Sequence, residues 1–340
     1  MRAAIIRQHG GLDAIKVETV PDPEPGPGEA LIRVKACALN HMDLWARKGI
    51  PGFAFPLPLI PGCDLAGEVV FASGMEAGTP VVVQPGVSCG ACAHCLTGHD
   101  MLCRHYGILG ETQNGGCAQL AVVPRANLMP KPERLSWEEA AAYPLTFLTA
   151  WHMLVSRAGV KPGDTVLVHA AGSGVSSAAI QIARLHGARV IVTAGAPHKL
   201  ERALALGAAH AIDYTQDLDW SRTVKSLTDR RGVDIAIDHV GAATFDGTLK
   251  ALAKGGRYVI CGATTGGEVT LPLQRLFFKN LAVLGSTMGS KGELHRITQL
   301  MAQGVLKPQV HQVLDLEEVQ EAHRVLESRL AFGKVVLSVG

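Results

Sequence analysis

Four cysteines, Cys89, Cys92, Cys95 and Cys103, stand in the run CGACAHCLTGHDMLC with the spacing C-x2-C-x2-C-x7-C. Four thiolates complete a tetrahedral ligand set for Zn²⁺, and such short intervals let one loop wrap one ion. A closed set leaves no coordination position open, so the predicted zinc is structural, one per subunit, and the chemistry must lie elsewhere. The other uses of such residues are disulfides or buried free thiols. No secretory apolar region lies behind the opening MRAAIIRQHGG, so the expected compartment is a reducing cytoplasm, where disulfides are rare. The interleaved His94, His99 and His105 either replace one thiolate or are exposed loop residues.

A second candidate is the turn Ala170-Ala-Gly172-Ser173-Gly174-Val175-Ser176. It falls between a predicted strand and a predicted helix, where glycines let backbone N–H groups approach a pyrophosphate and the helix N-terminus favours its charge. Only Gly172 and Gly174 remain of the glycine pattern, with Ser176 or Ser177 where a third would stand. The strand context, rather than the motif alone, argues for dinucleotide binding by Gly172, Ser173, Gly174 and Val175. The next strand ends Val192-Thr193-Ala194-Gly195-Ala196 without the acid that usually holds the ribose hydroxyls of NAD. The missing carboxylate removes repulsion against a 2′-phosphate, and Lys199 follows within a turn, so NADP is favoured over NAD; Lys199 as a plain solvated helix residue is the alternative. Val240 and Gly241, and Gly262 and Ala263, follow strands at the carboxyl edge of the sheet, where ligands bind in such folds. Thr149 is a further candidate contact near the nicotinamide. Ordinary packing of strand–helix loops is the competing account of all these positions.

The elements that must hold these groups are legible in outline. Leu31 to Cys37 alternates, with Ile32, Val34 and Ala36 on one face and Arg33 and Lys35 on the other, which predicts a half-buried strand. The preceding PDPEPGPGE is a turn-rich linker, and Val81–Val83 is a short strand before the cysteine lobe. Ser136 and Glu139 form a capping box that opens a helix. From Asp164 strands and helices alternate: strands over Thr165–His169, Arg189–Thr193, Ala211–Asp213, Val233–Asp238 and Arg257–Cys261, helices over Val175–His186 and His198–Leu206. That alternation predicts a doubly wound parallel sheet. Asp315 and Glu318 mark a second capping box with a helix to about Arg329, and Phe332–Leu337 is a closing strand expected to pair with the first domain.

The bulk properties set outer bounds. A chain of 340 residues predicts two domains, because single cores rarely grow beyond about 250–300 residues. Its 32 basic and 30 acidic residues leave a net charge of +2, which gives no electrostatic case for nucleic acid or an anionic membrane surface. The apolar runs are short and punctuated, which argues against a membrane span.

Taken together, MRAAIIRQHGG, ALNHMDLWARKG, PLIPGCDLAGEV, the four-cysteine lobe, AAGSGVSSAAIQIA and the terminal FGKVVL resemble the medium-chain dehydrogenases/reductases, the superfamily of zinc-containing alcohol dehydrogenases and quinone oxidoreductases. The resemblance implies an α/β protein with a GroES-like β-barrel catalytic domain over 1–145 and 291–340, the zinc lobe at about 86–105 within it, and a Rossmann domain inserted over 146–290. It implies nicotinamide and substrate in a cleft between the domains, and a homodimer or homotetramer. By resemblance to NADPH-using relatives, Tyr214 joins Lys199 at the adenosine phosphate.

The departures lie where zinc alcohol dehydrogenases bind their catalytic ion. Asn40 matches a cysteine ligand, Cys63-Asp64 a His-Glu pair, Leu145 a Cys or Asp, and Met42 the hydroxyl that begins the proton relay. A catalytic zinc needs three protein ligands and an open position. Two readings remain: a metal-free site like that of the quinone oxidoreductases, which Asn40 and Asp43 resemble, or a rebuilt zinc-dependent alcohol dehydrogenase site drawing on His41, Cys63, Asp64 and Cys37. The metal-free reading is favoured, with hydride passing from NAD(P)H to a quinone, enone or other small carbonyl compound and with Asn40 and His41 as donors to the acceptor oxygen. Structural roles compete here too: Cys37 and Cys63 as small core residues, Asp43 as a loop brace, His41 as a buried imidazole. A non-catalytic NADPH-binding structural or regulatory protein is the reading from another class.

Overall fold

The computed structural model describes Met1 through Gly340, which fold as two compact units: Met1–Leu148 with Gly289–Gly340, and Thr149–Met288. In chain order the first unit opens with strands β1 (Arg2–Ile6), β2 (Ile15–Thr19) and β3 (Glu29–Ala38), helix α1 (His41–Lys48), then β4 (Asp64–Ala72) and β5 (Pro80–Val83). Two-residue strands β6 (Gly86–Val87) and β7 (Gly107–Ile108) pair with each other, with α2 (Ala93–Leu96) between them. Strands β8 (Leu120–Pro124) and β9 (Leu128–Pro130) and helix α3 (Trp137–Ala141) complete this run, and helix α4 (Pro144–Trp151) begins in the first unit and ends in the second.

The alternation read in Leu31–Cys37 becomes β3, with Ile32, Val34 and Ala36 fully buried and Arg33 exposed. Period-two patterning works there because β3 has one face on a core and one outward. Strand β3 pairs antiparallel with β4 and β8, and its register shifts between Leu31 and Ile32 and between Val34 and Ala36. The second shift falls beside Gly67 of β4, where a Cβ would lie 2.2 Å from the Arg33 carbonyl oxygen, so only glycine permits that approach.

The second unit carries β10 (Thr165–Val168), α5 (Gly174–Leu185), β11 (Arg189–Ala194), α6 (Pro197–Ala205), β12 (His210–Asp213), α7 (Trp220–Ser226), β13 (Val233–Asp238), α8 (Ala242–Ala251), β14 (Leu252–Ile260), α9 (Leu273–Phe278) and β15 (Ala282–Gly285). Its sheet runs in the order β12-β11-β10-β13-β14-β15, every neighbouring pair parallel. This is the doubly wound arrangement expected from alternating strands and helices. Strand β14 begins five residues before the predicted Arg257, and the pairing shift between Val233 and Ile235 absorbs the extra chain around Gly255-Gly256.

The chain returns to the first unit through α10 (Lys291–Ala302), β16 (Val310–Asp315), α11 (Val319–Glu327) and β17 (Lys334–Ser338). Strand β17 lies between β3, antiparallel, and β16, parallel, so the closing strand joins the first sheet as predicted. The capping box at Ser136 forms, with Ser136 Oγ accepting the Glu139 N–H at 3.2 Å. The one at Asp315 opens a 3₁₀ turn over Leu316–Glu318 before α11. No helix is long and apolar enough to cross a membrane.

Candidate functional site

In the first unit, the sulfurs of Cys89, Cys92, Cys95 and Cys103 all lie within 4.8 Å of one another. Sγ–Sγ separations are 3.5 Å for Cys92–Cys95, 3.5 Å for Cys89–Cys103 and 3.9 Å for Cys89–Cys95. A tetrahedron with Zn–S bonds of about 2.3 Å has edges of about 3.8 Å, so the cradle fits that ion. Helix α2 makes this possible by folding Cys92 and Cys95 onto one side of a single turn, while Gly90 and Gly98, at φ of 70° and 77°, bend the chain around them. Backbone N–H groups of Ala91 and Cys92 point at the Cys89 sulfur and lower its pKa to about 6, whereas the Cys92 thiol, despite a backbone N–H from Cys95, is raised to about 11 by its side-chain hydrogen bonds within the lobe. His94, His99 and His105 are exposed residues of the same lobe. Asp100 Oδ1 accepts the Lys291 N–H at 3.1 Å, which ties the lobe to the start of α10.

The positions matching a catalytic metal site are gathered by three elements of the same unit. Asn40 is the N-cap of α1, Cys63 and Asp64 lead into β4, and Lys334 comes from β17. Asn40 Nδ2 donates to Asp64 Oδ2 at 2.9 Å and to Cys63 Sγ at 3.3 Å. Lys334 Nζ donates to Asn40 Oδ1 at 2.5 Å and to Asp64 Oδ2 at 2.8 Å. Asp64 Oδ1 accepts the Leu145 N–H at 2.8 Å, so the position matched to a third ligand contributes only backbone. Burial pushes the Cys63 thiol well above its ordinary range, and the neighbouring carboxylates Asp64 and Asp43 push it further.

Asp43 is fully buried and braces the turn: Oδ2 accepts the Asn40 N–H at 2.7 Å and Oδ1 the Gly62 N–H at 2.8 Å. Burial raises its pKa to about 6, against the pull of those two N–H groups. A Cβ on Gly62, itself at φ 94°, would sit 2.5 Å from the Cys37 sulfur and 2.6 Å from that of Cys117. Cys37 and Cys117 are buried and face each other at 3.5 Å, and their hydrogen bond and burial hold the Cys37 thiol well above its usual range. His41 is exposed in the first turn of α1, while Met42 beside it is buried. The four-cysteine lobe is the group of three or more His, Cys, Asp or Glu side chains whose ligand atoms converge; His41, Cys37, Cys63 and Asp64 form no such group. These residues do not fit a catalytic zinc, which needs three converging protein ligands and an open position, whereas here Cys63 is a buried thiol and both Asp64 oxygens already accept hydrogen bonds.

The cofactor loop lies in the second unit, at the carboxyl end of β10. Ala170 takes φ 50°, turning the chain so that Gly172, Ser173, Gly174 and Val175 lead into α5. Ser173 caps α5, its Oγ accepting the Ser176 N–H at 3.0 Å. The two serines in place of a third glycine are buried and satisfied within the loop: Ser176 Oγ donates to the His169 carbonyl at 2.6 Å and Ser177 Oγ to that of Gly174 at 2.9 Å. The N-terminal N–H groups of α5 are what a pyrophosphate needs, so the loop fits a dinucleotide. Gly241, at φ 89°, would put a Cβ 2.9 Å from Ala263 Cα, and Thr265 N donates to the Val240 carbonyl at 2.9 Å, so Val240, Gly241, Gly262 and Ala263 belong to two adjoining loops. Tyr214 is exposed and sets its hydroxyl against Gly195, just past the end of β11, and Lys199 lies in the first turn of α6. Thr149 is buried in α4.

Two residues escape reading by residue type. His239, after β13, places Nε2 2.8 Å from Ser173 Oγ and 3.1 Å from Ser176 Oγ, joining a neighbouring strand end to the cofactor loop. Lys334 is the other, and a lysine inside the apolar run FGKVVL is itself a signal, since a charge in a buried strand requires a partner.

Comparison with known proteins agrees with this arrangement. Residues 26–133 match the family described as "Alcohol dehydrogenase GroES-like domain" and residues 174–303 the family "Zinc-binding dehydrogenase". A crotonyl-CoA reductase of Streptomyces collinus is 34% identical over 95% of this chain and 81% of its own length. A quinone oxidoreductase of Pongo abelii is 28% identical over 99% of this chain and 97% of its own. A solved structure of an NAD-dependent alcohol dehydrogenase is 53% identical, covers 100% of both chains and superposes with a TM-score of 0.96. The likeness thus runs through the barrel-type first unit and the doubly wound second unit of this chain, which belongs to the medium-chain dehydrogenase/reductase superfamily of NAD(P)-dependent oxidoreductases.

Proposed function

We propose that this protein is an NAD(P)H-dependent reductase that delivers hydride to a quinone, enone or other small carbonyl compound without a catalytic metal, its one zinc being that of the cysteine lobe. The asymmetry between the two candidate metal positions carries the reading: one has four converging sulfurs, the other a buried thiol and an already bonded carboxylate. The nicotinamide, when bound, supplies the hydride. The chain's own contribution is to bind and orient. The N–H groups around Ser173 and Gly174 hold the pyrophosphate, and Lys199 and Tyr214, beyond a strand end without an acid, favour a 2′-phosphate and hence NADP over NAD. The Asn40 Nδ2 contacts, to the Ala38 carbonyl, Cys63 and Asp64, are all internal, so His41, exposed on α1, is the donor to the acceptor oxygen and Asn40 and Asp43 hold the turn that presents it. Quinones and enones suit such a site because their reduced oxygen is delocalised and needs less polarisation than an alkoxide.

The experiment is a metal count on washed protein, followed by quinones, enones, aldehydes and alcohols offered with NADPH and with NADH. The expected result is one zinc per subunit, with NADPH-driven reduction of quinones or enones. The similarity to an NAD-dependent alcohol dehydrogenase structure favours the second reading, a zinc alcohol dehydrogenase with a rebuilt site. Two zinc ions per subunit with alcohol oxidation would establish that reading and end ours. Tight NADPH binding without turnover on any acceptor would mark a non-catalytic protein.

A further inference from the structure

Lys334 stands in β17 with Val335, Val336 and Leu337, all fully buried, and is itself only 4% exposed. The strand lies between β3 and β16, so its lysine is carried into the sheet interior. The ammonium group can only donate, and two of its acceptors are Asn40 Oδ1 and Asp64 Oδ2. That fixes the Asn40 amide, because its oxygen must face Lys334 and its nitrogen must then face Asp64 and Cys63. It also adds to the hold on Asp64, whose Oδ2 accepts from Lys334 and Asn40 and whose Oδ1 accepts the Leu145 N–H. The Asp64 oxygen beside Cys63 is therefore already engaged, by the Asn40 amide and by a cation that belongs to the chain.

We propose that Lys334 is the resident cation of this site: a positioning residue that holds Asn40 and Asp64 and bars a divalent ion from Cys63 and Asp64. The inference rests on the metal-free reading above and goes beyond it by naming the group that keeps the site so. Charge balance supplies the reason. Asp64 is fully buried, and a buried carboxylate needs one compensating cation. With Lys334 in place that need is met, and a divalent ion would add two positive charges next to a third. With Lys334 removed, Asp64 loses a donor and its counter-cation, and a divalent ion becomes an available replacement.

The test counts metal in the intact zinc-loaded protein after equilibration with Co²⁺ and washing, as zinc plus cobalt per subunit, so that exchange within the cysteine lobe leaves the total unchanged. Wild type is expected to hold one ion, Lys334→Met two, and the double variant Asp64→Asn/Lys334→Met one again. Lys334→Gln, which removes the positive charge, repeats the measurement if Lys334→Met does not fold, with two ions again expected. A folded Lys334→Met or Lys334→Gln protein that stays at one ion overturns the role of Lys334 while the metal-free reductase reading stands. A washed wild type already holding two ions overturns both. A wild type that holds one ion after washing but takes a second from Co²⁺ overturns the barrier and leaves the reductase reading intact.

Discussion

Asp43 shows how one side chain near the site links burial to pH. Both its oxygens accept backbone N–H groups, from Asn40 and Gly62, yet full burial still raises its pKa from 3.8 to about 6. The folded chain thus holds this proton more firmly than the unfolded chain does. Between about pH 4 and pH 6 the native state binds more protons, so the contribution of Asp43 to stability falls as pH rises through that window and is level above it. Asp43→Asn removes the titration while keeping one acceptor oxygen. The stability of wild type relative to Asp43→Asn, from urea unfolding, is expected to decline between pH 4 and pH 6 and to stay constant from pH 6 to 8. A difference that is flat from pH 4 upward would show that burial does not govern this carboxyl. At this scale the sequence was partly legible. The convergence of the four cysteines was legible from spacing alone, and the missing acid after Thr193 was visible directly. The Lys334–Asp64 pair was not, because 270 residues separate its members and β17 is buried too thoroughly for alternation to mark a face.

Among the elements, β3 and β4 carry the first unit, and β4 leads directly from Cys63 and Asp64. Gly67→Ala would press a methyl group to 2.2 Å from the Arg33 carbonyl and force the strands apart. The expected cost is about 1–3 kcal/mol, the range for overpacking, read as a lower melting temperature. Gly267, where an added methyl group would meet no atom within 4 Å, is the control, and its alanine variant is expected to melt like wild type. Equal melting of Gly67→Ala and wild type would mean that the sheet yields at that point. Strands and helices with strong local signals were readable from sequence, notably β3, β13 and the helix opened by Ser136. Strands β15 and β16 gave no clear signal: β15 is four residues of mixed exposure, and β16 is largely exposed with the polar pair His311 and Gln312 in its first half. The serines of the cofactor loop were read as a defect in a glycine pattern, whereas Ser176 and Ser177 each tie the turn to its own backbone.

For the whole molecule, the exposed edge of the second sheet bears on assembly. Strand β15 ends the row and has β14 on one side only, with Val283 40% exposed. In α9 of the same unit Phe277 and Phe278 are 59% and 71% exposed. An unprotected strand edge with apolar side chains on the same unit invites pairing with another chain, and a second copy of this chain is the partner expected from the family resemblance. Val283→Lys puts a charge in the middle of that edge and is expected to reduce the molar mass measured by light scattering toward that of one chain. A wild type that is monomeric at the same concentration, or a Val283→Lys protein of unchanged mass, would remove this edge from the assembly.

The sequence by itself determined the grouping of the four cysteines, the doubly wound class of the second unit and the family, because each is written in short-range spacing: four cysteines within 15 residues, strands alternating with helices, and a loop between one strand and the next helix. Tertiary structure decided what surrounds the candidate catalytic position. Asn40, Cys63, Asp64 and Lys334 come from α1's cap, the approach to β4 and the last strand, and they meet only once β17 has inserted beside β3. Local pattern fixes which residues are on offer; the burial and hydrogen bonding that set their charge states come from segments remote along the chain, brought together only when the sheet closes.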